Sequence, residues 1–577
     1  MNSALRNALT IGTERVAGWA ELLDRINVFP VADGDTGRNL VITLSPLLKE
    51  HIDRDELTER ILLSARGNSG NIAARFLSGM MQAPSAADLP VAISNGRELA
   101  WKAVPDPREG TMLSVFDTLA EALQQYPPGS RPDWDDAVVN RLQDAVLATT
   151  DQLPSLREAG VVDSGALGML LFCDGFLRSL TDCRTAFINI PEVFKERIQL
   201  ASTWNQELGE EGCCIDAVMD ASEIGVELEE KLAALGESVV VMSHEGKVKV
   251  HLHADDVDSV RVQMADLGTI VSFASDDLQE QQKQFRETRP EPALHIMTDA
   301  AGSVTRDDAS EFGMTLLDSY INVGRRSVPE TYLESADLYA AMQAEIAVST
   351  SQASDFERYQ HYQRVMALFP RALYLCVGSA YTGNYRIVSD WKRDNDPEGK
   401  LEVMDTGAAS GRLGLIALAT ARYSLQTSNP DSVVRFAQQA VLECKEYIFL
   451  EKLRYLAAGG RLSKSKAFFG DMLRKKPVIT PLPGGAEKVA VLTTKDDQVA
   501  FALNRLETES SDQETLNIML EYTDNESWVR EVMLPKVTQL RPRARIFAQR
   551  ISLTSGVHMG PGTWAIAYLN TAVSGER

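Results

Sequence analysis

Residues 27–39 read NVFPVADGDTGRN. Asp33 and Asp35 flank Gly34 and are followed by Thr36, Gly37 and Asn39. Two carboxylates this close repel and raise each other's pKa unless a cation sits between them. A hard divalent ion, Mg2+ above all, removes that penalty, because it takes oxygen ligands and keeps waters for substrate phosphates. A solvated acidic turn is the competing reading of the same residues. Around this turn the apolar residues recur at three and four positions, as in DAVVNRLQDAVLATTDQL at 136–153, which is a helical pattern. From residue 1 to about 190 we therefore expect an all-helical domain. Its connections VADGDTG, ARGNSG, VPDPREGT and AGVVDSGALG are rich in Gly, Ser, Thr and Asp, as expected of a site assembled from several loops.

The chain has 577 residues, more than one hydrophobic core usually spans, so three or four domains are expected. With 44% apolar and 24% charged residues it has the composition of a soluble globular protein. A formal charge of −23 disfavours nucleic acid or an anionic membrane as the main partner. The start MNSALRNALTIGTERVAGWA lacks the cationic and apolar regions of a signal peptide. No apolar run approaches the roughly 20 residues of a transmembrane segment, and a cytoplasmic location is the expectation. Six scattered cysteines (Cys173, Cys183, Cys213, Cys214, Cys376, Cys444) form no disulfide framework.

The texture changes between about 195 and 288. There ESVVVMSHEGKVKVHLHADD reads as two strands joined at Glu245-Gly246, within a small α/β domain. The charged run SDDLQEQQKQFRETRPEP is a helix end and linker, stopped by Pro290 and Pro292. From 293 to 577, buried strands at 294–297, 372–377 and 401–404 alternate with long helical segments, which predicts a parallel α/β fold.

Several loops of the helical domain suit phosphoryl transfer. SARGNSGNI at 64–72 places Gly67, Asn68, Ser69 and Gly70 just before a helical pattern, so their backbone N–H groups can face a phosphate. Gly110 and Thr111 offer a tight turn with a hydroxyl, and Asp163 a further acid. Each loop alone reads equally well as a helix cap. Together and in this order they resemble the DhaL-type domain of dihydroxyacetone kinases and, more closely, the kinase component of bacterial fatty acid kinase. The resemblance implies a barrel of helices in which Asp33 and Asp35 hold Mg2+ ions carrying the phosphates of ATP. It also implies phosphate or nucleotide contacts for Ser69, Gly70 and Thr111, with Asn39, Asn68, Gly110 and Asp163 as further candidates. One departure is Val28, where the dihydroxyacetone branch carries a third aspartate; a carbonyl oxygen of Asn27 or Asn39 is the candidate replacement.

His251 and His253 lie two apart in a predicted strand, so both imidazoles leave one face. With a thiolate from the vicinal pair Cys213-Cys214 they form a donor set suited to zinc, although paired histidines on a surface strand are also common. The blocks GCCIDAVM, LGESVVVM and KVKVHLHADD resemble the middle domain of the fatty acid kinase component, which implies a metal site of Cys214, His251 and His253.

Four clusters mark the last 285 residues: STSQAS at 349–354, YTGNY at 381–385, AAGGRLS at 457–463 and GVHMGPG at 556–562. Hydroxyls plus the imidazole of His558, here set in a glycine-rich loop, can grip a carboxylate while leaving its oxygen nucleophilic. Helix capping by the same Ser and Thr residues is the plain alternative. Together these motifs resemble the DegV family, whose members bind fatty acids. That resemblance implies a carboxylate site at Thr350, Thr382 and His558, with Ser351 and Arg461 close by. The family's TDS reads TDA at 298–300, and its LSGTY reads YTGNY. The whole then implies a single-chain fatty acid kinase using Mg·ATP, with Asp33, Asp35 and His558 catalytic, expected as a homodimer. A kinase for a dihydroxyacetone-like compound and a lipid-binding sensor with an inactive nucleotide domain are the rival readings.

Overall fold

The computed structural model describes residues 2–49, 52–104, 107–181, 187–201, 204, 212–220, 226–244, 246–286, 291–324, 326–458 and 475–571. These fall into two compact units, residues 1–288 and 289–577.

The first unit opens with the helices α1 (Ser3–Arg25), α2 (Thr36–Leu44), α3 (Arg54–Ser64), α4 (Gly67–Met80), α5 (Leu89–Lys102), α6 (Met112–Gln125), α7 (Trp134–Gln152), α8 (Pro154–Ala159) and α9 (Ser164–Arg178). Local chemistry sets their starts. Asn2, Asp53, Thr111 and Asp163 each accept a backbone N–H of the first turn of α1, α3, α6 and α9. Every residue of α9 is buried, as its all-round apolar sequence requires. Its two charged groups are paired: Asp174 meets Arg15 at 2.7 Å and Arg178 at 2.6 Å, which meets the cost of taking charge out of water.

A four-stranded antiparallel sheet follows, built from β1 (Cys213–Asp220), β2 (Glu237–His244), β3 (Lys247–Ala254) and β4 (Thr269–Asp277) in the order β2-β3-β1-β4. One face carries Ile215, Ala217, Met219, Val248, Val250 and Leu252, packed on Leu232, Val260 and Met264 of two covering helices. Strand alternation puts Cys214, Asp216, Lys249, His251 and His253 on the other face. That polar face is buried as well, because it meets the helical segment: Arg66 pairs with Asp276, Lys247 with Glu59, and Arg75 donates to the Val241 carbonyl.

The second unit begins with β5 (His295–Asp299), β6 (Thr315–Leu317), β7 (Ser319–Val323), β8 (Arg326–Pro329), β9 (Val348–Gln352), β10 (Ala372–Cys376) and β11 (Leu401–Asp405). A parallel sheet in the order β11-β10-β5-β6 uses the three strands read from the sequence. The parallel pattern does not extend further. The strands β12 (Lys445–Phe449), β13 (Lys476–Leu482), β14 (Gly485–Leu492), β15 (Leu516–Tyr522), β16 (Arg545–Arg550) and β17 (Trp564–Asn570) form a sheet ordered β14-β13-β12-β17-β15-β16. Among these described strands only β15 and β16 run parallel. The reason is local: β13 and β14 turn back at Pro483-Gly484, too short a connection for a crossover. A third sheet, β8-β7-β9, is antiparallel. No helix among the described residues is long and apolar enough to cross a membrane.

Candidate functional site

The turn before α2 takes its shape from Gly34, which has φ +68°, a left-handed conformation that glycine adopts without strain. Asp33 and Asp35 consequently approach each other, and both keep some solvent exposure. Burial and the neighbouring carboxylate push the Asp33 pKa well up. Burial also pushes Asp35 up, opposed by a hydrogen bond from Asn39 and by the charges of Arg38 and His251. Asn27 donates its Nδ2 to Asp33 at 2.5 Å, so its amide nitrogen rather than its carbonyl faces the pair. The Ser164 hydroxyl, 3.1 Å from Thr36 and 3.3 Å from the Asn27 carbonyl oxygen, closes this polar cluster. Val28 is buried in the core. A half-buried pair of acids whose protein surroundings leave both pKa values raised fits a divalent cation, which would supply the missing positive charge.

The start of α4 lies against this pair. Gly67 has φ +60°, and a Cβ there would fall 2.1 Å from the Asn39 side chain, so only glycine lets the loop sit against α2. No side chain caps α4. The Gly67 amide is nevertheless taken, since it donates to Asp216 at 3.1 Å. Asn68 and Ser69 remain in the uncapped first turn, while the Gly70 amide is already bonded to the Arg66 carbonyl. The other two loops behave as caps. Thr111 accepts from the Leu113 amide and donates to the Arg108 carbonyl, and Gly110 donates to Ser114. Asp163 is buried, accepts from the Ala166 amide, and is pushed up by burial to about 7.

The buried polar face of the four-stranded sheet sits beside these acids. Ligand atoms of Cys214, His251 and His253 lie within 4.8 Å of one another, because Cys214 is paired with His253, and Asp216 with His251, across β1 and β3. The Cys214 thiol is pushed well up by burial and by the charges of Asp216, Asp35 and Asp33. His251 Nε2 is buried and has no hydrogen-bond partner among the described residues. The Cys214 thiol lies 3.8 Å from His251 Nδ1, and a thiol grouped with two imidazoles fits zinc. Burial alone would push Asp216 up, but Lys249 at 3.0 Å and His251 at 3.5 Å hold it well below the usual carboxylate range.

In the second unit the sequence candidates divide. Thr350 Oγ1 lies 3.2 Å from His558 Nε2. His558 is not in a loop: Leu553–Met559 is a helix whose first turn is capped by Ser552, with Gly556 inside it and Gly560 after it. Ser351 leaves the opposite face of β9 and accepts from Asn322 at 3.2 Å, so it is not part of the Thr350–His558 pair. Thr382 accepts from the Asn384 amide. Arg461 lies outside the described residues.

The matches to known families follow the same division. The DAK2 domain model matches residues 30–178, the FakA-like middle domain model of fatty acid kinase matches 213–285, and the DegV family model matches 293–571. The chain joins these three domains in one polypeptide. The three matches, in this order, are similar to a fatty acid kinase component joined to a DegV-family domain. Protein YloV of Bacillus subtilis (strain 168) is 28% identical over 313 residues, covering 49% of this chain and 56% of that protein. The uncharacterized protein SH1689 of Staphylococcus haemolyticus is 26% identical over 304 residues, covering 47% and 54%. The chain thus spans about half the length of the curated relatives it matches. Among solved structures, a DegV family protein from Thermus thermophilus described by its fatty acid binding gives a TM-score of 0.45 at 18% identity, over 48% of this chain and 99% of that one. DegV of Bacillus subtilis, a fatty acid binding protein, gives 0.44 at 16%, over 48% and 100%.

Two groups of residues escaped the sequence reading. In the DegV domain Asp299 collects Tyr374, Asn384, Arg358 and the Val377 amide at the ends of β5 and β10. Gln352 then links β9 to Asn384. In the middle domain Asp216 joins the His251 side to the DAK2 domain. Its position, two residues after Cys214 in an alternating strand, was the available signal.

Proposed function

We propose that this chain is a fatty acid kinase that forms an acyl phosphate and ADP from Mg·ATP and a bound fatty acid. The observation that carries the reading is the conjunction, in one chain, of an acid pair suited to a phosphate-bound cation and a hydroxyl–imidazole pair suited to a carboxylate. Asp33 and Asp35 would hold Mg2+, which when bound neutralises phosphate charge. Asn39 orients Asp35, and the uncapped first turn of α4 at Asn68 and Ser69 offers N–H groups to phosphate oxygens. Thr350 and His558 hold the acyl carboxylate through hydrogen bonds. A carboxylate oxygen then attacks the γ-phosphorus, the bond from that phosphorus to the bridging oxygen breaks, and ADP leaves with the electron pair. Catalysis is positioning plus charge stabilisation, as phosphoryl transfer generally demands.

Zinc at Cys214, His251 and His253 would add a Lewis acid beside the acid pair. A long acyl chain gains about 0.8 kcal/mol per buried methylene, on the order of 10 kcal/mol in all, so the kinase must come to the carboxylate. The test is mass-spectrometric detection of acyl hydroxamate after incubation with Mg·ATP, mixed fatty acids and hydroxylamine. We expect product that is lost in Asp33→Ala and Asp35→Ala. Turnover with dihydroxyacetone but not fatty acids would favour the triose reading, and bound lipid without any ATP turnover would favour a sensor.

A further inference from the structure

Asp35 is the N-cap of α2 by its backbone and not by its side chain. Its carbonyl accepts the Asn39 amide at 2.8 Å, as the first intrahelical bond requires, yet its carboxylate makes no capping bond. An aspartate at this position ordinarily accepts the amide of the second or third helical residue. In α2 those residues are Gly37 and Arg38, and both amides go elsewhere: Asp24 Oδ1 accepts them at 2.6 Å and 3.1 Å. Asp24 lies in the last turn of α1, where the helix dipole disfavours an acid, so its placement calls for a reason outside its own helix. Gly37 supplies the geometry. A Cβ there would fall 2.1 Å from the Ala20 carbonyl oxygen, so glycine seats the first turn of α2 directly on α1. Asp24 stands one turn beyond Ala20 on the same face of α1, which brings its carboxylate to the two amides. An acid supplied by α1 thus satisfies the donors for which Asp35 is the ordinary acceptor. Asp35 turns instead to the Asn39 side chain and to Asp33.

We propose that Asp24 is a positioning residue for the divalent cation: by capping α2 in place of Asp35, it keeps the Asp35 carboxylate beside Asp33. The inference rests on the reading of Asp33 and Asp35 as a cation site. Without Asp24, the amides of Gly37 and Arg38 recruit Asp35, and a cation must first draw that carboxylate off the helix end. The worth of one helix cap then shows as a loss of about 5- to 30-fold in cation affinity, because only the uncapped fraction of the chain binds. Asp24→Ala removes the acceptor. Asp24→Asn removes the charge but keeps an oxygen for both amides, and asparagine caps helices about as well as aspartate.

The full-length chain and its variants are compared by two readouts. One is affinity for Mn2+ alone, a paramagnetic substitute for Mg2+, with unbound ion read by electron paramagnetic resonance and the site defined by the binding lost in Asp35→Ala. We expect Asp24→Ala to bind about 5- to 30-fold more weakly and Asp24→Asn to stay within about twofold of wild type. The other readout is thermal melting in chelator for Asp24→Ala, Asp35→Ala and the double variant. Because Asp35 replaces the missing cap, Asp24→Ala should lower the melting temperature less in the wild-type background than in the Asp35→Ala background. Equal losses in the two backgrounds, or wild-type Mn2+ affinity in Asp24→Ala, would overturn the proposal, since Asp24 would then be a cap and nothing more. Equal weakening by the alanine and asparagine variants would overturn it as well, because the charge of Asp24 rather than its cap would then act on the cation. If the wild-type chain binds no Mn2+ at this site, the cation reading fails, while the melting cycle still decides whether Asp24 holds Asp35 off the helix end.

Discussion

Two pairs of acids in this chain meet the same repulsion and resolve it in opposite ways. Asp33 and Asp35 stand on a glycine turn with some exposure, flanked by Asn27 and Asn39. Glu446 and Glu521 are fully buried beneath the helix Ser410–Gln426. The amides of Gly411 and Arg412 donate to Glu446, and the Ser410 hydroxyl lies 3.4 Å from Glu521. Burial pushes both glutamates up, Glu446 furthest because Glu521 adds its charge. Fully buried, this pair has no solvent side for a hydrated ion to enter from, and burial raises both carboxyls instead. Proximity of two acids therefore does not by itself mark a metal site. Access to water, and to a ligand that brings its own cation, separates the two cases.

The comparison breaks most directly at the aspartates. Asp33→Ala or Asp35→Ala should reduce acyl phosphate formation about 10³-fold, since a bound cation supplies several kcal/mol of transition-state stabilisation. Glu446→Gln should leave kcat within about twofold. Steady-state hydroxamate assays at saturating Mg·ATP check both, and a Glu446 variant as damaged as the aspartate variants would erase the distinction.

The buried acids should show themselves instead in pH-dependent stability. Glu330 belongs to this class: it is buried, accepts the Thr554 amide, and is pushed up to about 8 by burial. The unfolded chain ionises such a group near 4.5, while the folded chain keeps it neutral, so stability is full below about 4.5 and falls as pH rises to about 8. The loss is about 1.4 kcal/mol for each pH unit of that window. Glu330→Gln should flatten this part of the curve, and Glu446→Gln should change it in the same direction. Denaturant melts at pH 5 and pH 8.5 measure the difference. A wild-type chain that gains stability across the window would show that these carboxyls are ionised when folded.

Much of this contrast was legible in the sequence only where partners are close along the chain. Asp33 and Asp35 are two residues apart, and strand alternation sufficed to place His251 beside His253. Glu446 and Glu521 are 75 residues apart on β12 and β15, and each shares its short, largely apolar strand with another polar residue, Lys445 and Asn517. Asp216 meets Gly67 across 149 residues, a contact that no periodicity encodes. His558 was read as a loop residue because glycines flank it, whereas the Ser552 cap and the burial of Leu553 and Val557 hold a helix there. The antiparallel half of the DegV domain was missed because the strands from 445 onward were not resolved by pattern, and the parallel reading came from the first three alone.

A third carboxylate, one the substrate would bring, sharpens the comparison further. Thr350 and His558 offer it hydrogen bonds. Removing the imidazole in His558→Ala should cost about 1.5–3 kcal/mol, the worth of a hydrogen bond to a charged group, or roughly 10- to 100-fold in kcat/KM for the fatty acid. Ser351→Ala should change it less than about twofold, since that hydroxyl faces Asn322. Equal losses in the two variants would mean that both faces of β9 serve the ligand.

The smallest effect tests the premise of the acid pair itself. If Asp33 and Asp35 repel in the absence of a cation, neutralising one should stabilise the metal-free protein. We expect Asp35→Asn to gain on the order of 1 kcal/mol, a rise of roughly 2 °C in melting temperature for a unit of this size. Saturating Mg2+ should reverse the order, because a ligand that binds the folded state stabilises only the chain able to hold it. Calorimetry with chelator and then with Mg2+ reads both signs on one pair of proteins. A variant less stable than wild type under both conditions would mean that hydrogen bonds from Asn39 and its neighbours already offset the repulsion. The turn would then be a self-sufficient acidic loop, and its resemblance to the glutamate pair would be closer than its exposure suggests.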